Sequence, residues 1–156
     1  MKKMFAMAVI ATGMIACSAM GAEELDLNIK AALGKVSVQA TMPAPYSHSV
    51  SSSRDLWESI DADGHFYRVL VIKRAPKMPH TRNLYRYIRG PYRDIVSCYL
   101  KGTKGVVISR DELNQNMFVD KTYEFEKFLV VLEYQAVEIN DEKACNFFNS
   151  FKIVRK

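Results

Sequence analysis

Along most of this chain, apolar and polar residues alternate with a period of two. That is the pattern of half-buried β-strands, whose side chains point to opposite faces in turn. Lys35 to Ala40 carries Val36 and Val38 on one face, and Met42-Pro43-Ala44-Pro45 is expected to stop it, because prolines cannot donate to a ladder. Ser47 to Ser53 is a polar, exposed lead-in to Arg54–Ile60, which alternates again. Asp61-Ala62-Asp63-Gly64 has turn chemistry, and His65–Lys73 is the most strand-like run, so the two strands form a hairpin. The near-continuous apolar run Val69–Ile72 predicts a central strand covered on both faces. Asp94–Leu100 and Gly105–Ser109 form a second hairpin across Lys101–Lys104, and Phe118–Phe125 pairs with Phe128–Val137 across Glu126-Lys127.

Two segments have a helical period instead. His80 to Arg89 places Leu84 and Ile88 four apart and ends at Gly90-Pro91. The second follows Asn140, a good N-cap, with Asp141 and Glu142 in the first turn, where the helix dipole favours anions. Its apolar stripe is Ala144, Phe148 and Phe151. Glu23–Leu33 is a lead-in, a short helix or an extended arm, and Ile153 and Val154 in the basic tail suit a sheet edge. The expectation is the α+β class: an antiparallel sheet of five to seven strands covered by two or three helices.

The N-terminus breaks the alternation. Lys2 and Lys3 precede the uncharged run Met4–Ala16, which is too short for a bilayer-spanning helix of about 20 residues. Small residues follow, and the order positive, apolar, small is that of a secretory leader. Residues 1–21 are therefore expected to be a signal peptide cut before Ala22, leaving 22–156 as a single domain. The alternative is cleavage before Cys17, because Met14-Ile15-Ala16-Cys17 is similar to a bacterial lipobox. Cys17 would then be lipidated and would be the only membrane attachment, and a structural lipoprotein is the corresponding alternative role. Either route implies export, to the periplasm, the extracellular space or the outer membrane.

Export changes the reading of composition. The net charge is +5, and loss of Lys2 and Lys3 with the leader leaves +3. That mild excess fits an acidic envelope protein or an anionic surface as partner, and falls short of the clustered excess of a nucleic-acid binder. Outside the leader, Cys98 and Cys145 are the candidate pair for one disulfide, with two small buried thiols as the alternative. The densest cationic-aromatic cluster is Arg82, Tyr85, Arg86, Arg89, Tyr92 and Arg93. Its arginines fall at i, i+4, i+7 and i+11, one face of an unbroken helix, and Arg and Tyr are favoured interface residues.

The residues point to no catalytic, metal or cofactor site. Asp61-Ala62-Asp63-Gly64 resembles part of a calcium loop, but Gly64 is fourth where an EF-hand has its glycine sixth, and the twelfth residue is Ile72, which cannot ligate. His48, His65 and His80 show no ligand spacing with each other or with the cysteines. A small hydrolase built on His48 and His65 remains the enzymatic alternative, and it requires the two rings to converge with a carboxylate.

Four features in order resemble the Mog1/PsbP-like α/β/α sandwich group, as found in small exported bacterial domains. They are Val36-Ser37-Val38 leading to Met42-Pro43, the strand Phe66-Tyr67-Arg68-Val69, the turn Gly102-Thr103-Lys104-Gly105, and the ending Phe147-Phe148-Asn149-Ser150-Phe151-Lys152-Ile153. The resemblance covers Val36 to Ile153. It implies a non-enzymatic module that binds a protein or ligand, and it carries no shared catalytic residues over to this chain.

Overall fold

The structure, a computed structural model, describes residues 22–27, 36–73, 93–102 and 104–155. The strands are β1 (Ala22–Leu27), β2 (Val36–Pro43), β3 (Tyr46–Val50), β4 (Arg54–Ile60), β5 (Phe66–Lys73), β6 (Arg93–Lys101), β7 (Lys104–Asp111), β8 (Met117–Phe125), β9 (Phe128–Ala136) and β10 (Lys152–Arg155). Helix α1 (Asp141–Ser150) is the one helix among the described residues. Seven strands form one antiparallel sheet in the order β3-β4-β5-β9-β8-β7-β6, and β1-β2-β10 form a smaller one. Two meanders, β3 to β5 and β6 to β9, are joined by β5 pairing with β9 from Phe66↔Gln135 to Lys73↔Phe128.

The turns explain the meanders. At the β4–β5 turn the Asp61 carboxylate accepts from the backbone N–H groups of Asp63 and His65, and Gly64 takes φ +81°, a conformation that L side chains rarely adopt. Asp111 does the same at the β7–β8 turn, accepting from the N–H groups of Leu113 and Asn114.

One face of the large sheet, the helix face, meets β2 and α1. Val38, Ala40 and Met42 of β2 and Ala144, Phe147 and Phe148 of α1 pack on Trp57, Tyr67, Val69, Val71, Val119, Val130, Leu132 and Tyr134. Each fully buried aliphatic or aromatic side chain contributes roughly 1.5–3 kcal/mol, so this layer holds the two sheets together. The Ser150 hydroxyl at the end of α1 accepts from Thr41 N–H at 2.8 Å, fastening the helix to β2. The far face has its own apolar cluster, Leu70, Val107, Leu129 and Val131 with Leu56 and Ile72 at its margin.

The α+β expectation is overturned. The molecule is mostly β, and the layer on the helix face is largely a second sheet. Polar segments became strands because their neighbours offer pairing partners: Tyr46–Val50 pairs with β4, Ala22–Leu27 and Lys152–Arg155 flank β2, and β2 itself runs on to Pro43. The expected helix over His80–Arg89 and the leader with Cys17 lie outside the described residues, as does His80. Among those described, no helix is long and apolar enough to cross a membrane.

Candidate functional site

Two charged clusters and one strand edge are the chemically distinctive parts of the fold. The first cluster runs across the far face of the large sheet. Register places Glu58 of β4 opposite Arg68 of β5, Arg68 opposite Glu133 of β9, and Glu133 opposite Asp120 of β8. Directly opposed residues have Cβ atoms about 4.5–5.5 Å apart, so the four form a continuous row. Arg68 donates to Glu58 Oε1 through Nε at 2.9 Å and to Glu133 Oε1 through Nη1 at 3.0 Å. Arg93, the first residue of β6, donates to Glu133 Oε2 at 3.0 Å and reaches Asp120 Oδ2 at 3.4 Å, with its guanidinium 3.6 Å over the Phe118 ring. Asp120 and Glu133 are 0% and 1% exposed. Burial, and then the adjacent Glu133 charge, hold the Asp120 carboxyl well above the usual carboxylate range, against the pull of Arg93 and Arg68.

The second cluster sits at the β4–β5 turn. His65 Nδ1 lies 3.2 Å from Asp61 Oδ2, and the Tyr67 hydroxyl donates to the same oxygen at 3.1 Å. Asp61, Asp63 and His65 offer ligand atoms within 4.8 Å of one another, the spacing of a metal site. The cation there belongs to the protein: Lys143 of α1 donates to Asp61 Oδ2 at 2.7 Å and to Asp63 Oδ2 at 2.5 Å. Burial pushes the Asp61 carboxyl up, but the hydrogen bonds from Lys143, from His65 N–H and from Tyr67 outweigh it and hold it at about 2. Both carboxylates raise Lys143 in turn. The turn is thus pinned to the helix, and the Tyr67 and Tyr134 rings, 5.3 Å apart, close the cluster from beneath.

The third feature is β6, at one edge of the large sheet. A register shift between Ile95 and Ser97 bulges the strand at Val96. Val96 and Tyr99 are 58% and 60% exposed.

Several expected site residues fall elsewhere. Arg82, Tyr85, Arg86, Arg89 and Tyr92 lie outside the described residues. Arg93 is not on a solvated helix face: it opens a strand and turns into the far-face cluster, its side chain 18% exposed. His48 and His65 do not converge. His48 stacks on Trp57, which faces Val69, while His65 lies four residues before Val69, roughly 13 Å along the strand. The candidate disulfide pair Cys98 and Cys145 is not bonded. Cys98 pairs in register with Val107 on the far face, whereas Cys145 rides on α1 near Lys121 on the helix face, so the sheet separates the two. The buried thiol environment expected for Cys98 is also absent, because β6 exposes it.

Sequence reasoning missed Glu58, Arg68, Asp120, Glu133 and Lys143. The readable signal was a lone acid inside an apolar strand: Glu133 in Phe-Leu-Val-Val-Leu-Glu-Tyr and Asp120 in Met-Phe-Val-Asp. An acid there must be paired or neutral, since an isolated buried charge is costly. Comparison of the chain with known protein families and with curated proteins found no match.

Proposed function

We propose that this chain is a non-enzymatic, exported cell-envelope protein that binds another envelope protein along the β6 edge of its large sheet. The observation that carries this reading is the pair Val96 and Tyr99, both well exposed on an edge strand. An edge strand presents unpaired N–H and C=O groups, and a partner strand can add to them while side-chain pockets supply selectivity. Asp94 and Lys101 near the two ends of β6 provide charges that set the direction of an incoming strand. The leader pattern of residues 1–21 supports export.

The hydrolase alternative is not carried forward, because its two histidines occupy separate places. Attachment through Cys17 remains compatible with the binding role and supplies a membrane anchor rather than a different activity.

The test is recovery of partners from an envelope extract with the tagged mature domain, comparing wild type with the double variant Val96→Lys, Tyr99→Lys. Recovery is expected to drop at least tenfold, as for loss of about 1.4 kcal/mol. Equal recovery by a folded variant would remove the β6 edge from consideration.

A further inference from the structure

We infer that Asp120 and Glu133 form a buried proton-binding pair, with one proton held on Asp120 and donated to Glu133 at neutral pH. The geometry argues for it in three ways. The two carboxyl groups face each other across β8 and β9 at directly opposed register positions, and neither is exposed. Both Glu133 oxygens accept from guanidinium donors, Oε1 from Arg68 and Oε2 from Arg93, so both serve as acceptors. Asp120 is served differently. Its Oδ2 has only the long 3.4 Å contact to Arg93, and its buried Oδ1 receives no donor at all. A buried carboxylate oxygen without a donor is costly, while a protonated Asp120 side chain can donate to Glu133, with which it hydrogen-bonds.

The charge count agrees. The charged groups of this row among the described residues are Glu58 on β4, Arg68 on β5, Glu133 on β9, Asp120 on β8 and Arg93 on β6, while β7 contributes the apolar Val107 opposite Asp120. Two guanidinium groups balance two carboxylates. The third acid must be neutral for the row to be neutral, and Asp120 is the most buried and least well served of the three.

The pair is therefore a pH-sensitive element inside the central sheet. Loss of the proton places two negative charges on adjoining strands in a dry environment. The folded state holds a proton that the unfolded chain has released above its ordinary value of 3.8, so stability declines as pH rises from there through the folded-state titration.

The experiment uses the whole domain labelled with carbon-13 at aspartate carboxyls. At neutral pH the infrared spectrum is expected to contain a protonated carboxylic-acid carbonyl band that shifts with the aspartate label. The band should disappear in Asp120→Asn, and in Glu133→Gln, where the charge that keeps the proton on Asp120 is gone. The melting temperature of Asp120→Asn relative to wild type should climb with rising pH, since the amide donates to Glu133 without titrating. Absence of the band from the wild-type protein would overturn the inference, whether or not either variant folds. A band that follows a glutamate label instead would move the proton to Glu133 and overturn the assignment to Asp120.

Discussion

Single side chains in this molecule act by the partner that register or packing brings to them. Lys143 occupies the helix N-terminal turn, where a cation opposes the dipole, yet it is stabilised by two carboxylates of a hairpin more than 75 residues away in sequence. Lys143→Met should cost about 1 kcal/mol in urea denaturation, a modest figure because the pair is partly solvated. The same contact shapes the acid limb. Asp61 is lowered by folding, so its contribution is complete above its ordinary value of 3.8 and is lost as pH falls toward about 2. Lys143 is raised, so its share persists below its ordinary value and fades only above it. A flattened acid limb in Lys143→Met checks the first sign and a flattened alkaline limb the second, both followed by melting temperature against pH. The Asp61–Gly64 turn was legible in sequence, because Asp and Gly there satisfy local backbone demands. Its helix partner was not, since nothing local links Lys143 to the turn. The same holds for Arg93, read with a run of arginines and found against Phe118 and Glu133.

At the scale of elements, local chemistry and pairing divide the work. Asn140 caps α1 by accepting from Lys143 N–H at 3.1 Å, and Asn140→Ala should cost about 1 kcal/mol by chemical denaturation. The cap and the acidic first turn were readable, as were two of the three residues of the apolar stripe, for which the sequence predicts Ala144, Phe148 and Phe151. The stripe is Ala144, Phe147 and Phe148, while Phe151 sits just past the helix and packs on Tyr123 with ring centroids 4.3 Å apart. Strongly alternating strands were equally readable, and all three expected hairpins form. The weakly patterned ones were not. β3 is almost wholly exposed, and only its ladder with β4 makes it a strand. On β4, Trp57 and Ser59 face the core, while Ile60 is exposed and Glu58 joins the charged row. Alternation showed two faces but not which of them is covered.

For the molecule as a whole, the central fact is that β5 and β9 are covered on both faces, by the β2–α1 layer on one side and by burial of the charged and apolar rows on the other. Phe147 touches Tyr67 with ring centroids 5.4 Å apart and belongs to the helix-face core. Phe147→Ala should therefore cost about 3–5 kcal/mol, read as a shift of the denaturation midpoint with an unchanged slope. A loss under about 1 kcal/mol would show that α1 does not hold the two sheets together. The sequence by itself determined where the strongly alternating strands lie, where their turns fall, that the run Val69–Ile72 is central, and how α1 is capped, because each of these depends on residues within a few positions of one another. The tertiary structure alone decided that β2 leaves the large sheet for a smaller one, that β5 joins β9, and that Glu58, Arg68, Asp120, Glu133 and Arg93 meet on one face. Those are pairings between distant segments, and their free energy comes from burial and charge compensation that no local window of the chain contains.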